Sequence, residues 1–437
     1  MLEQARKLAR NTAFRKYFLN TSWMFFEKGV RFVSIFLVGI FVGRYLGPEK
    51  FGLLSYAVAV TSIFIILSRL GMESVLVREL AANPDKSSQY ISTAFTLLIL
   101  GGIAALIVVL ASVALLASTF QEKACILLIS LGLLFQSFLV FDYAFQAKTE
   151  AKYSSLGKSV ALLFSAILKI VLIIAQADLY WFAASYTIEH LLVATSLFVL
   201  FKSRMKLKLR VGISRLFALP LLKSAWPMLL SGIAGMILVR VDQIMIRHFL
   251  DTSQLGLYAA AIKIYEGWMN FPFIFSISML PLITRLKSGD IAEFERILTT
   301  LFAAAFWSSA AFAVAVTLFD EQIISLTFGE EYQAAASTLA IIIWASLPAS
   351  HGFMSARYLI VEKREFKIVR RNWIAIFLNV PLNLVMIPMY GIKGAAIATI
   401  LSLVFVHWCL DMFDEDLAQL FRVKNRAMLF RFGNYES

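Results

Sequence analysis

Long apolar runs separated by short polar gaps dominate the chain. Twelve runs approach or exceed the roughly 20 residues that a helix needs to cross a bilayer, and they lie at 20–43, 51–68, 90–118, 125–146, 159–175, 179–201, 224–248, 255–283, 297–319, 334–360, 372–389 and 394–412. The runs lack the apolar–polar alternation of barrel strands and are too long for them. The pattern therefore predicts an all-α polytopic membrane protein with about twelve transmembrane helices.

The composition supports this prediction. Of the 437 residues, 60% are hydrophobic and only 16% are charged, whereas soluble domains carry about a quarter charged residues. A set of soluble domains is thereby excluded. The two cysteines, Cys125 and Cys409, both lie inside apolar runs and form neither a metal-binding spacing nor a disulfide framework.

The basic residues lie mostly on one side of the predicted bundle. Alternate gaps, together with the two termini, hold 30 of the 41 Lys and Arg residues, and the opposite gaps hold 4. This asymmetry follows the positive-inside rule and predicts that both termini are cytoplasmic. It also accounts for the net charge of +13 without any nucleic-acid partner.

An internal repeat divides the chain. Arg44-Tyr45-Leu46 recurs as Arg247-His248-Phe249 at an offset of 203 residues, and Phe51-Gly52-Leu53-Leu54 recurs as Leu255-Gly256-Leu257-Tyr258 after one inserted residue. Six spans separate the copies, so the repeat is parallel. We predict an N-terminal amphipathic cytoplasmic segment (1–19), an N-terminal six-helix half (20–201), a basic cytoplasmic linker (202–223), a C-terminal six-helix half (224–412) and a cytoplasmic tail (413–437).

Two segments resemble a known family. They are Gly43-Arg44-Tyr45-Leu46-Gly47-Pro48-Glu49-Lys50-Phe51-Gly52, and Asn379-Val380-Pro381-Leu382-Asn383 followed by Ile387-Pro388-Met389-Tyr390-Gly391-Ile392-Lys393-Gly394-Ala395-Ala396. Both are similar to segments of bacterial O-antigen-type polysaccharide flippases in the multidrug/oligosaccharidyl-lipid/polysaccharide exporter superfamily. The resemblance implies a translocase that moves undecaprenyl-diphosphate-linked oligosaccharide for O-antigen or a related lipopolysaccharide or surface polysaccharide. The movement would run from the cytoplasmic to the outer leaflet of the bacterial inner membrane, by alternating access. Polysaccharide polymerase machinery is a further implied partner.

Ionisable residues inside the spans are the candidate functional groups, because a charge in the hydrocarbon is costly and usually faces a cavity or another charge. Glu27 with Arg31, and Lys263 with Glu266, have the spacing to pair along one helix face. Lys28, Lys169 and Arg240 then need partners from other helices or from a ligand, with Glu189 and Asp242 remaining. Asp142, Asp411, Arg247 and Arg357 lie near helix ends, where we expect contact with headgroup water.

We predict that basic residues bind the diphosphate and sugar head group in an aqueous cavity. The candidates are Lys28, Arg31 and Arg240, then Lys169 and Lys263, because Lys and Arg pair well with phosphate oxygens. The resemblance adds support for Lys28 and Arg31 in the first span. Glu27, Glu189, Asp242 and Glu266 are candidates for coupling to an H⁺ or Na⁺ gradient. The alternative interpretation is that these charges only lock the helix bundle through buried pairs.

Other functions receive less support. A drug or organic-cation antiporter of the same superfamily would favour a cavity dominated by carboxylates, whereas here the deep cations outnumber the acids. A membrane glycosyl enzyme such as a polymerase would need longer outer loops and a catalytic constellation. We therefore expect a transporter without a catalytic site, metal site or cofactor.

Overall fold

The computed structural model describes residues 12–116, 119–205, 207, 209, 211–287 and 291–429. Within these residues the regular structure is helical throughout, with no strand. The α-helices are α1 (Thr12–Arg69), α2 (Glu73–Ala82), α3 (Ser87–Leu116), α4 (Phe120–Ser130), α5 (Leu139–Ala147), α6 (Ala151–Ile174), α7 (Leu179–Arg204), α8 (Arg215–Phe249), α9 (Thr252–Lys287), α10 (Ile291–Leu318), α11 (Asp320–Thr327), α12 (Ala336–Ile342), α13 (Ser346–Val361), α14 (Glu365–Tyr390), α15 (Ile392–Val404), α16 (Leu410–Met412) and α17 (Ala418–Met428). The predicted all-α fold class is confirmed.

Helix α1 contains two of the predicted spans. Its 58 residues would extend for about 87 Å at 1.5 Å per residue, nearly three times the thickness of the hydrocarbon core. Gly47 interrupts it with a left-handed φ of 68°, and Pro48 follows directly. Glycine tolerates this conformation and proline starts a new helical segment readily, so the Gly-Pro pair separates the spans predicted at 20–43 and 51–68.

The other predicted spans coincide with apolar helical stretches. Eleven stretches in the described residues are long and apolar enough to cross a membrane, and the first contains both halves of α1. Some of these are composite: α4 and α5 are joined through the 3-10 helix Leu131–Phe138, and α15 continues into the π-helix Phe405–Cys409. The protein is therefore a multi-pass membrane protein with about twelve spans.

Contacts divide the described residues into two compact units. Unit 1 comprises the residues up to Tyr45 together with Tyr56–Met236, and unit 2 comprises Leu46–Ser55 with the residues from Ile237 onward. The units are defined by contacts and the predicted halves by the repeat, so the boundaries proposed from the sequence stay a prediction. Part of the predicted amphipathic segment (residues 1–11), of the linker (206, 208 and 210) and of the tail (430–437) lies outside the described residues.

Unit 1 has an aromatic core. Phe141 stacks on Phe201 with ring centroids 4.3 Å apart and packs on Phe95 at 5.5 Å. Helix α6 shows how its helices face two environments: Val160, Phe164 and Ile167 are exposed, whereas Lys158, Leu162 and Ser165 are buried. This spacing places an apolar stripe toward lipid, while the face that carries Lys158 and Ser165 packs toward the bundle.

Two glycines in unit 2 permit a very close helix crossing. A Cβ atom on Gly52 would lie 1.8 Å from the carbonyl oxygen of Thr252, and one on Gly256 would lie 1.8 Å from that of Pro48. These are the two glycines that the predicted repeat aligns. Each occupies the place where its helix meets the backbone of the other, so neither position has room for a side chain.

Helix α17 is fixed to unit 2 by packing and by a buried ionic cluster. Leu420, Val423 and Ala427 join the apolar core formed with Phe294 and Phe302. Beside them, fully buried Lys424 donates to Asp411 and to the carbonyl of His407, both at 2.6 Å. Arg371 pairs with the other oxygen of Asp411. The cluster thus holds two cations and one carboxylate out of water.

The buried cluster of Lys424, Asp411 and Arg371 predicts that the stability of the protein depends on pH. Burial lowers the pKa of Lys424 from 10.5 to about 8, against the opposing effect of Asp411. Between these values the unfolded chain holds a proton that the folded protein releases, so the free energy of unfolding rises with pH from about 8 to about 10.5. We expect thermal unfolding in detergent to show this rise, and Lys424→Met to reduce it. Lys86→Met, at an exposed position, should leave it unchanged.

Candidate functional site

Four side chains in unit 1 form an ionic network, which we call the Lys158 cluster: Glu27, Arg31, Asp142 and Lys158. Glu27 accepts hydrogen bonds from Arg31 at 3.0 Å and lies 3.1 Å from the Lys158 ammonium. Lys158 also donates to Asp142 at 2.8 Å. The predicted Glu27–Arg31 pair is confirmed. The cluster extends it, since one carboxylate is shared between two cations.

Arg31 is the exposed end of this cluster. Its side chain is 40% exposed, whereas those of Glu27, Asp142 and Lys158 are 7–11% exposed. Arg31 donates to Glu27 through Nε and Nη2, which fixes the plane of the guanidinium. Lys28 lies one helical turn away, exposed, with its ammonium 5.9 Å from the centre of the Phe25 ring. Arg31 is therefore held in place by Glu27, and Lys28 adds a second, exposed cation on the same helix.

Lys169, which lies deep within a predicted span, forms an ion pair with Glu189. It donates to Glu189 at 2.9 Å, and Ser165 donates to the same carboxylate oxygen at 2.7 Å. The Lys169 ammonium also lies 4.6 Å from the centre of the Tyr186 ring. The polar contacts of Lys169 thus come from groups on α6 and α7. This arrangement is the one expected if the ion pair stabilises the helix bundle.

In unit 2 the pairing differs from the sequence interpretation. Arg240 donates to Glu266 at 3.2 Å, so the expectation that only Glu189 or Asp242 remained for Arg240 is wrong. Glu266 lies on α9, and the relative rotation of α8 and α9 brings the two groups together. The Nε atom of Arg240 is buried without a hydrogen-bond acceptor. Lys263 lies on the same helix as Glu266 and is partly buried.

Asp242 has a different environment from the other deep acids. It is buried and accepts hydrogen bonds from Asn383 at 2.6 Å, Thr399 at 2.6 Å and Tyr258 at 3.0 Å. All three donors are neutral. Asn383 also donates to Asn379 at 2.9 Å, while its own side-chain oxygen is buried without a donor. Two hydroxyl groups and one amide nitrogen therefore converge on one carboxylate.

Several functional candidates were missed or misplaced by the sequence interpretation. Asp142 and Asp411 were expected in headgroup water, but their exposures are 5% and 0%. Lys158 falls in the polar gap between the runs 125–146 and 159–175, yet it is the centre of an ionic cluster. The signal for the Asp242 environment was present as two asparagines four residues apart, Asn379 and Asn383, inside an apolar span.

These arrangements have distinct chemical capacities. A partly exposed Arg side chain held by a carboxylate, as Arg31 is by Glu27, can bind a phosphate without first losing its orientation. A carboxylate surrounded by neutral oxygen-bearing groups can take up a proton or a hard cation such as Na⁺. Among the described residues, no group of three or more His, Cys, Asp or Glu side chains is arranged to hold a metal ion. The roles of the individual residues stay predictions.

Solved structures share the fold. The inward-closed conformation of the lipid II flippase MurJ superposes with a TM-score of 0.74 at 15% identity, covering 95% of this chain and 92% of that one. An inward-facing multidrug resistance MATE family transporter gives a TM-score of 0.68 at 14% identity over 92% and 95% of the two chains. Identities this low establish the fold alone.

Sequence relatives extend the comparison. The probable low-salt glycan biosynthesis flippase Agl15 of Haloferax volcanii is 25% identical over 39% of this chain, and the probable flippase AglR of the same organism is 28% identical over 37%. The matches span only 37% and 35% of the lengths of these relatives. An uncharacterized membrane protein of Methanocaldococcus jannaschii is 23% identical over 87% of this chain and 92% of its own length.

Two families match the sequence directly. Residues 227–385 match the MatE family. Residues 15–287, more than half of the chain, match the polysaccharide biosynthesis protein family. The chain belongs to the polysaccharide biosynthesis protein family.

Proposed function

We propose that the protein is a flippase for undecaprenyl-diphosphate-linked oligosaccharide. It would move an O-antigen or related polysaccharide unit from the cytoplasmic to the outer leaflet of the bacterial inner membrane by alternating access, with both termini cytoplasmic. The family match supports a role in polysaccharide biosynthesis, and the names of the two Haloferax relatives include a glycan flippase. Surface-polysaccharide polymerase machinery is the expected partner downstream.

The Arg31 environment carries this proposal. A diphosphate is costly to dehydrate, so its translocation needs cations that are already oriented. Glu27 accepts hydrogen bonds from two nitrogens of Arg31, which orients the guanidinium. Lys158 also pairs with Glu27, so the Glu27 charge is shared between two cations. Arg31 and Lys28 thereby retain donors for a ligand. Arg240 would act in the same way in unit 2, where its Nε atom lacks an acceptor.

Asp242 is our candidate for ion coupling. The other three candidate acids are bound to basic side chains: Glu27 to Arg31 and Lys158, Glu189 to Lys169, and Glu266 to Arg240. A carboxylate that is already neutralised by a cation has little capacity to take up a transported ion. Asp242 accepts from neutral donors, so an H⁺ or Na⁺ would complete its charge balance. No other cofactor is proposed.

Asp242→Asn should uncouple transport from the ion gradient. The substitution keeps the size of the side chain and removes its charge. One charge crossing 100 mV supplies about 2.3 kcal/mol, which corresponds to about a fiftyfold concentration ratio. We expect the variant to lose most of the gradient-driven rate measured in vesicles with imposed Na⁺ or pH gradients. Exposed Glu293→Gln is the control. Undiminished gradient dependence in Asp242→Asn would contradict the assignment.

Deletion of the gene tests the function in cells. We expect lipid-linked oligosaccharide to accumulate on the cytoplasmic leaflet and surface polysaccharide to fall. The second candidate is a drug or organic-cation antiporter, which the match of residues 227–385 to the MatE family favours. Normal surface polysaccharide together with altered sensitivity to cationic dyes would support the antiporter and overturn the flippase proposal.

A further inference from the structure

A cavity of about 610 Å³ opens in unit 1 beside the end of α1 and the start of α2. This volume lies within the range of roughly 300–1,000 Å³ that is typical of small-molecule sites. Its lining is mainly apolar and includes Ile66, Met72, Val77 and Met228. The charged groups at its wall are Arg69, Arg78 and Glu73. An apolar pocket with two guanidinium groups and one carboxylate suits an amphiphile that carries an anionic head.

Arg69 is held in position within this wall. Its Nε atom donates to the side-chain oxygen of Gln136 at 2.9 Å, and the Gln136 amide nitrogen lies 3.2 Å from Nδ1 of His190. Arg69, Gln136 and His190 lie on three different spans, and the hydrogen bonds that connect them fix the Arg69 guanidinium through Nε. Both terminal nitrogens of Arg69 therefore keep their donors for a ligand. Arg78, by contrast, is bound to neighbouring Glu79 at 3.1 Å.

The same hydrogen bonds lead from the cavity toward a deeper ion pair of unit 1. His190 directly follows Glu189 in the sequence, and Glu189 pairs with Lys169 at 2.9 Å. Helical rise places Arg69 farther than Arg31 from the Gly47 break, on the side that the basic gaps predict to be cytoplasmic.

We propose that this cavity is a first docking site for an isoprenoid diphosphate, with the diphosphate on Arg69 and the proximal isoprene units against Met72 and Met228. This inference rests on the proposed function and adds a subsite on the cytoplasmic side of Arg31. Charge complementarity selects the head group, because the terminal donors of Arg69 match phosphate oxygens in bidentate fashion. The apolar wall selects the tail. Substrate would dock here before its head group reaches Arg31.

Photolabelling of the purified full-length protein tests the site. The probe is a benzophenone-bearing farnesyl diphosphate, and the labelled residues are mapped by mass spectrometry. We expect labelling near Met72 or Met228, competed by farnesyl diphosphate but not by farnesol. Arg69→Ala should reduce it by about tenfold or more, the loss expected for a charge-assisted hydrogen bond. Arg69→Lys should reduce it less, and exposed Lys86→Ala should not change it.

The outcomes separate this inference from the proposed function. Arg31→Ala should keep the labelling while transport slows by about tenfold or more, because the docking site precedes Arg31. Labelling elsewhere, or labelling near Met72 that is unchanged in Arg69→Ala, overturns the docking site. Specific labelling in a protein that flips no lipid-linked oligosaccharide would overturn the proposed function and leave the docking site standing.

Discussion

Replacement of either Gly52 or Gly256 by alanine is expected to disrupt the helix crossing of unit 2. The added methyl group would lie 1.8 Å from a backbone carbonyl oxygen in each case. No rotamer change can relieve a clash between a Cβ atom and backbone, so the helices must separate. Overpacking typically costs about 1–3 kcal/mol, and this contact should lie at the upper end. We expect a lower unfolding temperature and a severe loss of transport for each single variant.

The double variant gives a sharper test of this crossing. Because both substitutions break the same contact, Gly52→Ala/Gly256→Ala should cost little more than either single change. Gly235→Ala is the matched control: its Cβ would meet nothing within 4 Å, and alanine in a helix is favoured over glycine by about 1 kcal/mol. Wild-type unfolding temperature and transport in both single variants would show that the helices do not meet as described.

Lys158→Met is expected to destabilise unit 1 strongly. Lys158 joins two buried carboxylates, at 3.1 Å from Glu27 and 2.8 Å from Asp142. Without it, buried Asp142 loses its cationic partner, and Glu27 keeps only the partly exposed Arg31. Removal of one partner from a buried ion pair costs about 3–5 kcal/mol. Unfolding in detergent should reveal a loss of this size.

Neutralisation of the carboxylates should restore stability. In Lys158→Met/Asp142→Asn/Glu27→Gln no unpaired negative charge remains at the cluster, so we expect most of the unfolding temperature to return. Exposed Lys148→Met should have little effect. If Lys158→Met alone unfolds at the wild-type temperature, Lys158 does not hold the two acids together.

The sequence predicts the spans well because the membrane imposes a one-dimensional constraint. Each run of apolar residues must be long enough to cross the hydrocarbon, so the helices of unit 1 and unit 2 fall where hydropathy places them. The break in α1 is equally local, since Gly47 and Pro48 are adjacent. The pairing of Glu27 with Arg31 is local too, as four residues correspond to one helical turn.

The partners of the buried charges are not local. Asn383 and Thr399 contact Asp242 from positions 141 and 157 residues away along the chain. Arg240 pairs with Glu266 rather than with Glu189 or Asp242, because the rotation of each helix about its axis determines which side chains face each other. Lys158 begins a run of apolar residues and resembles a loop residue in sequence, although the packing of α6 buries it. Pairing of this kind follows from tertiary packing, which hydropathy and spacing do not encode.

The central claim is that oriented cations, Arg31 foremost, carry a diphosphate-linked oligosaccharide across the membrane. Its most direct test uses proteoliposomes loaded with fluorescent undecaprenyl-diphosphate oligosaccharide, in which a membrane-impermeant lectin detects glycan on one leaflet. We expect the wild-type protein to exchange the lipid between leaflets and Arg31→Ala to slow this exchange by about tenfold or more, as for a lost charge-assisted hydrogen bond. Exposed Arg296→Ala should retain the wild-type rate. Exchange no faster than in protein-free liposomes, or an unaffected Arg31→Ala, would contradict it.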